Sequence, residues 1–132
     1  MGRIDENSRN TLKQIPPLQK EFTMISWSDF EKIDIRVGTI EAAQHFEKAK
    51  KPAYQLRINF GSMGTLQSSA QITQHYTPAS LVGKQVIAVV NFPPKQIANF
   101  MSECLVLGVY DEQNEVVLLH PSHPISNGLK IG

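Results

Sequence analysis

Runs that alternate apolar and polar residues with a period of two, two glycines set inside such runs, and a single short helical segment between the third and fourth of them predict an all-β fold. The fold class is a five-stranded Greek-key barrel of the OB type with short helices. At 132 residues, 41% hydrophobic and 19% charged, the chain has material for one domain around one core.

Residues 1–23 are polar, broken by Pro16-Pro17, and carry no sustained apolar period, so they read as a flexible leader or extension and the folded domain as 24–132. In "SWSDFEKI", Ser26 followed three residues later by Asp29 is an N-cap signal for a helix of one or two turns, with Trp27 and Phe30 on one face. So short a helix needs to dock those aromatics on its own sheet or on a second subunit. "IDIRVGTIEAA" alternates through Ile33, Ile35, Val37 and Thr39, and "AYQLRINF" through Tyr54, Leu56, Ile58 and Phe60, which predicts two half-buried strands. "TQHYTPASLVG" has room for helical turns, and "KQVIAVV" is a β-branched run suited to a central strand. "ECLVLGVY" and "EVVLLH" flank the turn "DEQN" as a hairpin, for a total of five or six strands. Gly38 and Gly108 mark places where a strand bends or bulges.

The longest uninterrupted apolar stretch, 86–90, is far below the roughly 20 residues a membrane helix needs, and the N-terminus has no apolar signal region. These features predict a soluble, cytoplasmic protein without membrane insertion. The single cysteine, Cys104, sits in an apolar run as a buried small hydrophobe and excludes an intramolecular disulfide. The formal charge of +1 is unevenly distributed: residues 45–100 hold six basic residues against one acid, a net of +5, while both flanks are acidic. Lys48, Lys50, Lys51, Arg57 and Lys84, with Lys95, are either a solvated surface or a basic face for a polyanion or acidic partner.

Chemistry-bearing residues are few. Ser68 and Ser69 precede His75, but no acid occurs between Asn59 and Asn99 to orient that histidine, and the G-x-S-x-G elbow is absent, so a hydrolase is disfavoured and no catalytic residue is assigned. The hydroxyls and amide of Ser68, Ser69 and Gln71 suit a ligand backbone equally well, or the serines cap the following turn. In "VNFPPKQIANF", the two prolines end a strand and stiffen the loop that presents Asn91, Phe92 and Lys95, an amide, an aromatic and a cation able to seat a base or an apolar side chain. The competing reading makes Phe92 and Phe100 core residues. His120 and His123 in "HPSHP" read as loop histidines without further ligands, and no metal or cofactor is expected.

"DFEKIDIRVGTI", "QSSAQIT", "GKQVIAVVNFPPKQI" and "MSECLVLG", in this order and spacing, resemble the tRNA-binding-domain family, the OB-fold module attached to some methionyl- and phenylalanyl-tRNA synthetases. The similarity is greatest to its stand-alone CsaA-type branch of export-related chaperones and covers roughly residues 26–132. It implies a non-catalytic homodimer, and independently of the resemblance the short aromatic-bearing N-terminal helix and the C-terminal segment "SNGLKIG" offer exposed apolar surface for a two-fold partner to cover. The resemblance further implies binding of unfolded or precursor polypeptides or, as the alternative, of tRNA by its shape and backbone. In the modules it resembles, the serine-bearing stretch and the "NFPP" loop lie on the ligand-facing side, which favours a binding role for Asn91, Phe92 and Lys95.

Overall fold

The computed structural model describes residues 24–132; the predicted leader, 1–23, lies outside the described residues. The described chain divides between Phe30 and Glu31 into two units. In the first, α1 (Trp27–Glu31) starts where Ser26 Oγ accepts the Asp29 N–H at 3.2 Å while Asp29 Oδ2 accepts the Ser26 N–H at 3.1 Å. This reciprocal cap satisfies two donors that a helix start leaves open. The rings of Trp27 and Phe30 meet edge to face, 5.9 Å between centroids.

The second unit is a nearly closed antiparallel barrel. Its main sheet has the order β3-β2-β1-β4-β7, built from β1 (Ile35–His45), β2 (Tyr54–Asn59), β3 (Thr65–Ala70), β4 (Gln85–Val89) and β7 (Leu105–Val106). The helical segment predicted between the third and fourth strands is α2 (Pro78–Leu81), capped by Thr77 and Ser80 in a full capping box, with Leu81 buried. Two hairpins complete the unit, β5 (Lys95–Ile97) with β6 (Phe100–Ser102), and β8 (Gly108–Tyr110) with β9 (Val116–Leu118) around the "DEQN" turn. Among the described residues nine strands therefore stand where five or six were predicted. The additional ones are pieces of two or three residues, too short to show a period in sequence.

β2 follows its predicted alternation, with Tyr54, Leu56 and Ile58 buried and Phe60 just beyond them. β1 does not. The core cluster contains Ile40 and not Val37, and a side chain at Gly38 would point at Ile58 and Phe60, so the even positions of β1 up to Ile40 face the barrel interior, and beyond the register shift between Ile40 and Ala42 the inward position passes to Ala43. The odd positions face a second layer, where the C-terminal segment runs along the half of β1 that β2 leaves unpaired. There the Val37 N–H donates to the Leu129 carbonyl at 3.1 Å, Gly128 N–H to Val37 at 2.7 Å, and Ile131 N–H to Ile35 at 2.8 Å. Arg36 adds a hydrogen bond to the Gly128 carbonyl at 2.9 Å and is held by Asp34 at 2.6 Å.

Gly38 is not the site of the bend predicted for it. The register shift falls between Ile40 and Ala42, and Gly38 is needed because the barrel interior has no room there for a Cβ, which would lie 2.6 Å from Ile58 Cγ2 and 2.8 Å from the Phe60 ring. Gly108 does mark a turning point, at the step from β7 in the main sheet to β8 in its hairpin. Gly38→Ala is expected to lower stability by about 1–3 kcal/mol through overpacking, measurable by denaturant unfolding.

Candidate ligand-binding face

The register of β2 on β3 pairs Gln55 with Ser69 and Arg57 with Gln67, so those four residues share the outer face of the barrel while Leu56, Ser68 and Ala70 turn inward. Gln44 on β1 extends the row, its Nε2 donating to Gln55 Oε1 at 2.7 Å. At the other side of the row, Ser102 Oγ accepts the Ser69 N–H at 3.0 Å, and Ser102 in turn pairs with Lys95 across the β5–β6 hairpin. A polar line thus runs Gln44, Gln55, Ser69, Ser102, Lys95 across five strands.

The edge of β3 is closed by side chains and not by another long strand. Besides Ser102, Glu103 Oε1 accepts the Gln67 N–H at 3.0 Å, the Glu103 N–H donates to the Gln67 carbonyl at 2.8 Å, and Gln67 Nε2 donates to the Met101 carbonyl at 2.9 Å. Ser68, 1% exposed, donates its hydroxyl to the Cys104 carbonyl at 2.8 Å inside the barrel. Burial pushes the Cys104 thiol up to about 12, with the Glu103 charge adding to the rise and a hydrogen bond to Ser68 opposing it.

Beside this edge lies a cavity of about 370 Å³ whose walls include Phe92, Pro93, Lys95, Ser102, Glu103 and Leu105. Phe92 is 56% exposed, whereas Phe100 packs edge to face on buried Phe46 at 5.4 Å. The two phenylalanines of the loop therefore divide between an exposed position on the cavity wall and a structural one. Lys95 is exposed and carries no ion pair among the described residues, so its ammonium is available to a ligand carboxylate or phosphate.

The predicted residues divide in the same way. Phe92, Lys95 and Ser69 come together around Ser102 and Glu103, which sequence reasoning did not single out. Asn91 is occupied as a clamp, its Oδ1 accepting the Asp34 N–H at 2.9 Å and its Nδ2 donating to the Lys32 carbonyl at 2.7 Å. Ser68 is turned into the core, and Gln71 is exposed just past the end of β3. Of the basic residues, Arg57 lies on the outer face, Lys48, Lys50 and Lys51 lie in the connection from β1 to β2, and Lys84 lines a separate cavity with His120 and His123.

The tertiary structure also supplies the acid that the sequence around His75 lacks: Asp111 Oδ2 lies 2.7 Å from His75 Nε2. Its carboxyl is held below the usual range, first by the Glu115 N–H and then by His75. No hydrogen bond joins Ser68 or Ser69 to His75, so the arrangement lacks the nucleophile of a triad. No group of three or more His, Cys, Asp or Glu among the described residues could hold a metal ion.

Comparison with known proteins places this geometry in context. The family model described as "Putative tRNA binding domain" matches residues 35–130. A methionine–tRNA ligase of Chlorobium chlorochromatii is 37% identical over 107 residues, 81% of this chain and 15% of the ligase. The chain thus spans a small fraction of the curated relatives it matches, 15% here and 18% of the ligase from Methanococcoides burtonii. Among solved structures, the chaperone CsaA of Bacillus anthracis is 50% identical with a TM-score of 0.79, covering 83% of this chain and 100% of the chaperone's. The CsaA chaperone of Picrophilus torridus is 54% identical with a TM-score of 0.77 and the same coverage.

Two outcomes follow from the site geometry. Asn91→Ala is expected to cost about 1–2 kcal/mol by freeing two backbone groups, whereas Phe92→Ala stays within about 0.5 kcal/mol, both read from chemical denaturation. At about pH 8 the Cys104 thiol should resist a disulfide reagent in the native protein and react at once in concentrated guanidinium.

Proposed function

The chain belongs to the tRNA-binding-domain family, and on that premise we propose that it is a CsaA-type chaperone that binds extended segments of unfolded or export-bound polypeptide as a homodimer. The observation that carries this reading is that it matches two CsaA chaperones over their whole chains at 50% and 54% identity. The face agrees chemically. A polypeptide segment needs amide and hydroxyl partners for its backbone and an apolar seat for alternate side chains. Gln55, Ser69 and Ser102 offer the first, and the cavity under Phe92 offers the second. Lys95, with Glu103 beside it, provides charges that steer a segment into register.

Binding of tRNA is the second reading, favoured by the family match itself. In that reading Arg57 and Lys95 contact phosphates while Phe92 stacks a base. The placement of Lys84 in another cavity and of three lysines in one loop counts against a single continuous basic stripe.

Titration of the protein with an unfolded export-type polypeptide and with bulk tRNA, each at two salt concentrations, separates the two. The proposal expects polypeptide binding that changes little with salt and weak tRNA binding. A log-log salt slope of about −4 to −5 for tRNA, the value for roughly six phosphate contacts, would establish the tRNA reading instead. Phe92→Ala combined with Lys95→Ala should weaken polypeptide binding by roughly tenfold or more, with the thermal midpoint unchanged. Sedimentation at micromolar concentration checks the homodimer, and a monomer there overturns it.

A further inference from the structure

A second cavity, about 530 Å³ in volume, lies between the turn that enters β4 and the loop that follows β9, and shares no residue with the cavity under Phe92. Its lining includes buried Val86 and Leu118 and the half-buried ring of Tyr76. That residue is held at its ring tip and at its backbone: the Tyr76 hydroxyl accepts the Leu118 N–H at 3.0 Å, and the Tyr76 main-chain carbonyl accepts the Tyr54 hydroxyl at 2.7 Å. At the exposed rim stand Lys84, His120, Ser122 and His123, with no Asp or Glu among the lining residues. His120 Nδ1 donates to the Pro121 carbonyl at 2.9 Å, which leaves its Nε2 for a ligand. The Lys84 ammonium and the His123 ring have no hydrogen-bond or ion-pair partner among the described residues.

A cavity of this size, apolar below and cationic at the mouth, suits a ligand with one anionic end and a flat, weakly polar body. A free inorganic anion would leave the apolar floor wet, and a purely apolar ligand would leave Lys84 without a counter-charge. A dianion is favoured at the rim because no carboxylate competes for the ammonium. Pro121 and Pro124 hold the loop that carries the histidines, which lowers the ordering cost of binding.

We propose that this cavity binds a nucleoside phosphate, with the phosphate at Lys84 and His123 and the base against Tyr76. The same chemistry is presented by a free mononucleotide and by the 5′-phosphorylated end of an RNA strand. The site stands apart from the polypeptide-binding face, so either can fail without the other.

The test is calorimetric titration of the full chain with adenosine monophosphate, adenosine and inorganic phosphate in turn. The nucleotide is expected to bind saturably, and adenosine and phosphate each roughly tenfold more weakly or not at all. Lys84→Ala and His123→Ala should each weaken nucleotide binding roughly tenfold, the scale of a lost charge-assisted hydrogen bond, without moving the thermal midpoint. A short RNA with a 5′ phosphate then distinguishes the sources: if it competes and its 5′-hydroxyl counterpart does not, the site takes an RNA end, and if neither competes it takes the free nucleotide. Failure of the nucleotide to saturate, or unchanged affinity in both variants, overturns the proposal.

Discussion

A five-stranded sheet that begins at β3 leaves the amides of that strand without a ladder, and the closure of this edge by Ser102, Glu103 and Cys104 is the constraint on which the rest of the structure depends. Unpaired strand edges recruit other strands, and a barrel removes the hazard by folding back on itself. This chain closes with very short pieces. Because β7 has only two residues, side chains substitute for the missing ladder: a hydroxyl and a carboxylate accept β3 amides from outside, and the Ser68 hydroxyl reaches a carbonyl from inside. The burial of Cys104 and the rise of its thiol follow from its place at that seam.

Closure at this point also forms the proposed binding face. The residues that stitch the edge, Ser102 and Glu103, line the cavity under Phe92, so one segment of chain both completes the barrel and shapes that cavity. The prolines after Asn91 contribute by preventing β4 from continuing, and the Asn91 clamp on the entry to β1 anchors the loop from behind. Exposure of an aromatic on an anchored loop is what a recognition surface requires, since little ordering entropy is lost on binding.

The positive charge concentrated in the middle of the chain is dispersed by the fold. Arg57 and Lys95 sit on two strands of the outer row, the lysines of the β1–β2 connection gather at its end, and Lys84 goes to the histidine-lined cavity. A net of +5 in sequence thus becomes several local fields, each reaching about one Debye length. The pairing of His75 with Asp111 shows the reverse effect, an acid brought from 36 residues away to a histidine with none nearby in sequence.

The barrel, the capped first helix, the short second helix and the core face of β2 were all legible in the sequence. Periodicity and capping are local signals that survive without knowledge of the fold. The exposed positions of Phe92 and Lys95 in the "NFPPK" loop were legible for the same reason, because proline restricts the backbone whatever surrounds it. Tertiary structure alone decided the inward phase of β1, where Gly38 yields its side-chain volume to Ile58 and Phe60 and the apolar odd positions serve a second layer. It likewise decided that Ser68 faces inward and Ser69 outward, that Asn91 clamps a backbone, and that Lys84 meets His120 and His123. Each of these depends on which distant segment arrives beside a residue, and a pattern read along one strand carries no information about that neighbour.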